Sequence, residues 1–112
     1  MKDVLNVKSG RNRYAIPFNS IVYMEKDRRR IVVHTTDKER IFYGKYDEIV
    51  PLLDDRFINP HRSFVLNMDF IVEMDKNTVQ MCTGCSISFC RECLERTKKG
   101  YDHYIAKKLA KR

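Results

Sequence analysis

The sequence is poor in glycine. Its four glycines, Gly10, Gly44, Gly84 and Gly100, are spread along the chain. A phosphate-cradling loop needs glycines in close succession so that backbone amides can approach the anion, and that class of nucleotide site is therefore excluded. There is no Gly-x-Ser-x-Gly turn and no His-Glu-x-x-His pair. The histidines, His34, His61 and His103, are scattered, the acidic residues form no evident pair, and no nucleophile stands at a recognisable spacing from a base. The expectation is a protein that is not an enzyme and carries no cofactor. The longest apolar runs, such as Phe64-Val65-Leu66 and Ile31-Val32-Val33, are too short to span a bilayer, so no membrane role is expected. The first ten residues lack the apolar stretch of a signal peptide. A cytoplasmic location follows, where structural disulfides are rare.

What is present is an ordinary apolar share, 43%, in a chain of 112 residues, enough for one domain with its own core. Repeats, low-complexity tracts and linkers are lacking, so residues 1–112 read as a single unit. The net charge of +7 is unevenly placed. From Arg91 to Arg112 eight basic residues meet three acidic ones, and Lys26-Asp27-Arg28-Arg29-Arg30 and Lys8 to Arg13 are each strongly positive. Discrete positive clusters suit a polyanion, because binding phosphates releases counterions.

The first half has the rhythm of short strands. Leu5 to Phe18 offers two strands around Ser9-Gly10-Arg11-Asn12, a good turn sequence. Ser20 to Lys26 and Arg30 to Thr36 form a second hairpin with a basic tip, and Glu39 to Lys45 reads as another strand. In Tyr46 to Asp55 the apolar Ile49, Leu52 and Leu53 share a helical face, and Pro51 limits this helix to one or two turns. Two strands follow between Arg62 and Asp75, then a turn at Asp75-Lys76-Asn77 and a strand at Thr78 to Gly84. Ser88 is expected to cap a helix beginning near Phe89, with Cys90, Cys93, Leu94 and Thr97 on one face. Gly100 is expected to stop or kink it, and residues 101–112 to continue as a second, basic amphipathic helix or to fray. The fold class is mainly β: antiparallel sheets with one short internal helix and a C-terminal helix.

All four cysteines lie between Cys82 and Cys93, as two Cys-x-x-Cys pairs four residues apart. Four thiolates can bind zinc tetrahedrally, which makes a small zinc-binding interaction module one alternative. Zinc ribbons place a longer segment between their knuckles, and the helix competes for Cys90 and Cys93. Buried reduced cysteine is a common small hydrophobe, and a thiol at a helix N-terminus also admits a redox role. A second alternative is a single-strand or RNA-binding β module, which would stack bases on exposed aromatic rings. Tyr23, Phe42, Tyr43 and Phe64 alternate with apolar residues and read as core.

The most informative phrase runs from Phe57 to Ile71: an aromatic residue, then His61-Arg62-Ser63-Phe64, Asn67 and Ile71. It resembles the hallmark of the LytTR family of bacterial DNA-binding domains, the output domains of two-component response regulators. Asn19 to Glu25 resembles the family's early strand, Phe42-Tyr43-Gly44 the strand before its short helix, and Ser86-Ile87-Ser88 its last strand. The resemblance covers almost the whole chain, in order.

It implies an elongated β fold that presents loops, rather than a recognition helix, to successive major grooves, for transcription regulation. The three loops are Lys26 to Arg30, Asn59 to Ser63, and Ser86 to Arg91. By position Arg29 and Arg62 are the base-reading residues, since arginine is the best bidentate partner of guanine. The family's third arginine falls on Cys90, and Arg91 beside it is the candidate there. Lys26, Arg28, Arg30, His61, Ser63 and Ser88 are the expected phosphate contacts, and Asn67 is expected to tie a loop by side-chain hydrogen bonds. The expected partner is double-stranded DNA with direct-repeat half-sites about 10 bp apart. The chain would be monomeric alone and paired on DNA. Family members usually carry a receiver domain, for which this sequence is too short, so an excised domain or a free-standing member is expected.

Overall fold

The computed structural model describes residues 3–110. Met1, Lys2, Lys111 and Arg112, the last two belonging to the C-terminal basic cluster, lie outside the described residues. Strands β1 (Val4–Ser9) and β2 (Asn12–Pro17) form a hairpin in which Ser9 pairs with Asn12. The two-residue turn between them places Gly10 at φ 60°, a conformation that glycine adopts without steric cost. Leu5, Val7 and Ile16 face inward from this hairpin.

The main sheet has five antiparallel strands. β3 (Ile21–Asp27) pairs on one side with β4 (Arg30–Thr35), which pairs in turn with β5 (Glu39–Tyr43). On its other side β3 pairs with β7 (Phe64–Asn67), and β6 (Phe57–His61) forms the far edge. Ile21 to Met24 of the central strand are all buried, although strict alternation would expose every second residue. A register shift between Ile21 and Tyr23 puts Val22 and Tyr23 into one core cluster while Ile21 and Met24 enter the other. The strand therefore serves two cores.

The first core gathers Phe18, Ile31, Val33, Phe42 and Val65 with the β1–β2 hairpin and α1 (Tyr46–Ile49). A 3-10 turn at Val50–Leu52 follows α1, where Pro51 ends the helical run. Ile49 is buried and Leu53 packs on the core, but Leu52 is exposed, so the expected three-residue apolar face is reduced to two. The second core lies between the main sheet and a three-stranded sheet of β8 (Ile71–Met74), β9 (Thr78–Met81) and β10 (Ser86–Ser88), with β9 in the middle. Asn67, fully buried, joins the parts as expected: its amide donates to the carbonyls of Phe18 (3.2 Å) and Ile21 (2.8 Å) and accepts from the Asp69 N–H (2.9 Å).

The C-terminal segment departs from its expectation in three ways. A single helix, α2 (Arg91–Ala110), replaces two. It begins after Cys90, whose carbonyl accepts the Leu94 N–H, while Ser88 remains in β10. The start is delayed because Phe89 stays extended to bury its ring against Phe64, at 5.6 Å between centroids. Gly100 does not stop the helix, which runs on to Ala110. It marks where α2 crosses β6, and a Cβ there would run into the Ile58 side chain. Cys93, Leu94 and Thr97 are the buried face, whereas Cys90 is exposed. Further along, Tyr104 donates to Asp69 (2.7 Å), and Lys107 and Lys108 pair with Asp55 (3.2 Å) and Asp69 (2.8 Å). Two lysines of the basic cluster are thus engaged within the domain. Among the described residues no helix is long and apolar enough to cross a membrane.

Candidate nucleic-acid interface

The tip of the β3–β4 hairpin is a two-residue turn, Arg28-Arg29, between the paired Asp27 and Arg30. Such turns need positive φ, and no glycine is available. Arg28 takes the load at φ 61°, the one non-glycine residue with positive φ among the described residues. Left-handed backbone costs a non-glycine residue about 1–2 kcal/mol, so the surrounding structure must hold it. The Arg29 carbonyl accepts the Gly44 N–H at 2.8 Å, which clamps the tip to the end of β5. Arg28, Arg29 and Arg30 are exposed, and among the described residues none of them joins an ion pair.

The second turn is shorter than expected. Asn59 to His61 belong to β6, and only Arg62 and Ser63 lie between the paired His61 and Phe64. Pro60 is accommodated because β6 is an edge strand with a register shift at this point. Asn59 braces the turn, its amide donating to the carbonyls of His61 (2.7 Å) and Phe64 (2.5 Å). The His61 Nδ1 accepts the Ser63 N–H at 3.0 Å, so a neutral ring carries its proton on Nε2, where it can donate outward. Arg62 is exposed.

The two turns sit side by side at one end of the main sheet. Glu25 pairs with Phe64, and the Lys26 N–H donates to the Ser63 carbonyl at 2.8 Å. Tyr46, buried at the start of α1, donates its hydroxyl to the same carbonyl at 3.0 Å. The Lys26 ammonium lies 5.6 Å from the centre of the Tyr46 ring. Burial, with a smaller contribution from Glu25, pushes the Tyr46 hydroxyl well above its usual range, so it remains a donor. Composition and spacing gave no sign of this bracing. Tyr46 reads merely as the first residue of a short helix, and its partner lies 17 positions away.

The third segment touches the start of β7, next to the second turn, through the contact between Phe89 and Phe64. Ser88 is exposed at the end of β10, and Arg91 is exposed at the first position of α2, 3.8 Å from Glu95. The first two segments of the expected interface therefore border each other, and the third touches the strand that follows the second. Tyr43 is a correction: it is 65% exposed rather than core, and it pairs with Arg30 beside the arginine tip. Lys45 next to it is also exposed.

The cysteines do not assemble as a quartet. Cys82 is exposed in the β9–β10 turn, and Cys85 turns inward, its thiol donating to the Tyr23 hydroxyl at 3.3 Å. Cys90 is exposed and Cys93 buried at the start of α2. Among the described residues no group of three or more His, Cys, Asp or Glu side chains is placed to hold a metal ion.

Comparison with known proteins identifies the family and the fold. A family model described as the LytTr DNA-binding domain matches residues 11–101. Accessory gene regulator protein A of Staphylococcus epidermidis is 31% identical over 75 residues, and so is that of Staphylococcus aureus. Each match covers 65% of this chain and 31% of the relative, so the chain spans about a third of the length of these curated proteins. The solved LytTr DNA-binding domain of a Bacillus cereus response regulator superposes with a TM-score of 0.72 at 22% identity, covering 89% of this chain and 97% of that one. With the family phrase, the sheet order and this match over most of the sequence in agreement, the chain belongs to the LytTr DNA-binding domain family.

Proposed function

We propose that this domain binds double-stranded DNA sequence-specifically and acts in bacterial transcription regulation, in the cytoplasm. The observation that carries the reading is the pairing of two arginine-bearing turns at one end of a five-stranded sheet, tied to each other through Lys26 and Ser63. A guanidinium on a braced turn loses less freedom on docking than one on a mobile loop. Arg29 and Arg62 read base edges in the major groove, where arginine pairs with guanine O6 and N7. Arg91, exposed at the start of α2, takes the third position.

Lys26, Arg28, Arg30, His61 and Ser63 flank the two turns and contact phosphates, which fix register without carrying sequence information. Ser88 contributes through its hydroxyl at the end of β10. The backbone N–H groups of the helix start lie beyond it, at Arg91 to Cys93. Two copies would occupy direct-repeat half-sites about 10 bp apart. In a longer parent chain, a receiver domain would control this pairing.

The test is selection of bound duplexes from a random pool, followed by anisotropy titration of the winning sequence and a scrambled one. Specific binding should exceed non-specific binding by at least about a thousandfold. Equal affinity for the two duplexes, or preference for the single strand, would defeat the proposal.

A further inference from the structure

The exposed thiol of Cys90 and the buried thiol of Cys93 occupy defined positions in the first turn of α2. The Cys90 carbonyl accepts the Leu94 N–H at 3.0 Å, which makes Cys90 the N-cap and Cys93 the third residue of the helix. Side chains at these two positions meet, as in a capping box, where each reaches back toward the other residue's backbone. Here both are cysteine. Cys90 is exposed and Cys93 is buried one turn further on.

We propose that Cys90 and Cys93 are a redox-active dithiol on the rim of the DNA-binding face, with Cys90 the attacking and Cys93 the resolving sulfur. The proposed position at that face rests on the function given above; the chemistry of the pair does not. The Cys93 N–H and thiol, with the Glu92 N–H, hold the Cys90 thiol below its ordinary range, while donation to Cys90 and burial push the Cys93 thiol up. One sulfur is thus exposed and activated, and the other is held in reserve beneath it. The second Cys-x-x-Cys pair lacks this arrangement, because Cys85 is turned away from Cys82 onto Tyr23.

The oxidant is a hydroperoxide. The Cys90 sulfur attacks the distal oxygen, the S–O bond forms as the O–O bond breaks, and the alcohol or water leaves with a proton. Cys90 is now a sulfenic acid and the hydroperoxide is reduced. Cys93 then loses its proton and its sulfur attacks Cys90. The S–S bond forms, the S–O bond breaks, and the departing hydroxide takes up the proton as water. Both residues belong to one turn of helix, so the disulfide closes without moving another element. In the cytoplasm such disulfides are transient and serve redox sensing or catalysis.

The test uses the full chain, hydrogen peroxide and tert-butyl hydroperoxide, with peptide mapping by mass spectrometry and circular dichroism to confirm folding. Iodoacetamide should label Cys90 several-fold faster than Cys82. Peroxide should link Cys90 to Cys93, both in the native chain and in a Cys82→Ser/Cys85→Ser variant. Cys93→Ser should leave a sulfenic acid at Cys90 that a dimedone probe captures, and Cys90→Ser should abolish the disulfide while Cys93 stays reduced. A bridge mapped to Cys82–Cys85 instead, or equal labelling of Cys82 and Cys90, would overturn the dithiol. A saturating cognate duplex should slow labelling of Cys90 several-fold and leave Cys82 unchanged. If the duplex binds and Cys90 is not protected, the placement at the DNA face is wrong although the dithiol stands.

Discussion

The Lys26 N–H donates to the Ser63 carbonyl at 2.8 Å, and this bond couples the two arginine turns of the domain. Lys26 lies two residues before Arg28, and Ser63 immediately follows Arg62. Displacement of either turn therefore strains the other, and the pair behaves as one rigid element rather than as two loops.

Tyr46 should be the residue that sharpens this coupling, since its hydroxyl donates to the same carbonyl at 3.0 Å from a buried position. Tyr46→Phe keeps the ring beneath the Lys26 ammonium and removes only the hydrogen bond. We expect a loss of about 1 kcal/mol in stability, the usual net value of one such bond. Binding to the cognate duplex should weaken more than binding to a scrambled one, because a looser Ser63 widens the range of positions open to Arg62. Paired anisotropy titrations and urea denaturation check this. A uniform loss on both duplexes would show that Tyr46 merely supports the fold.

Arg29 and Arg62 should behave differently from Lys26. Arg29→Ala and Arg62→Ala should each cost about 1–3 kcal/mol on the cognate site and relax base preference at the position read. Lys26→Ala should weaken all sequences alike and lower the slope of log affinity against log salt by about one. Competition titrations with single-base variants at several salt concentrations separate the two classes. Equal loss on specific and random duplexes for Arg62→Ala would remove it from the base-reading set.

The strands were legible because their cues are local. Gly10 marks a two-residue turn, and Leu5, Val7, Ile31 and Val33 alternate as strand faces must. The features that escaped depend on distant partners. Gly100 carries a stop signal by composition, yet it serves as the gap through which α2 passes Ile58 of β6. Ser88 is intrinsically a better cap than cysteine, but Phe89 must remain extended to reach Phe64, and the start moves to Cys90. The arginines at the turns were visible as charge. What holds them, Gly44 on Arg29 and Tyr46 on Ser63, emerges only when β5, α1 and the β6–β7 turn are folded together.

Asp69 makes the attachment of α2 sensitive to acid. Partial burial works against its charge, but hydrogen bonds from Lys108 and Tyr104, with Lys108 and Arg56 as nearby cations, outweigh it and hold the carboxyl below its ordinary range. A depressed folded-state value means that the stabilisation is present above the unfolded value of about 3.9 and is lost as pH falls below it. Thermal unfolding followed between pH 6 and 3 should therefore show a decline below about pH 4 that Asp69→Asn flattens. At pH 6 the variant should be less stable than the native domain, and the difference should shrink toward pH 3. A constant difference across the range would mean that the charge on Asp69 contributes nothing.

Arg28 sets stability against binding at a single position. Its φ of 61° is a conformation that a side chain disfavours and glycine does not. Arg28→Gly should relieve up to about 1 kcal/mol of strain, partly offset by the greater freedom of glycine in the unfolded chain. The variant should melt at the same temperature as the native domain or a few degrees higher. It should nevertheless bind DNA more weakly on every sequence, with the salt slope reduced by about one, since a phosphate contact is lost while Arg29 and Arg62 remain. Calorimetry and salt-dependent titration measure the two effects separately. If affinity held while the melting temperature rose, the left-handed arginine would have no part in binding, and the strain at this turn would need another explanation.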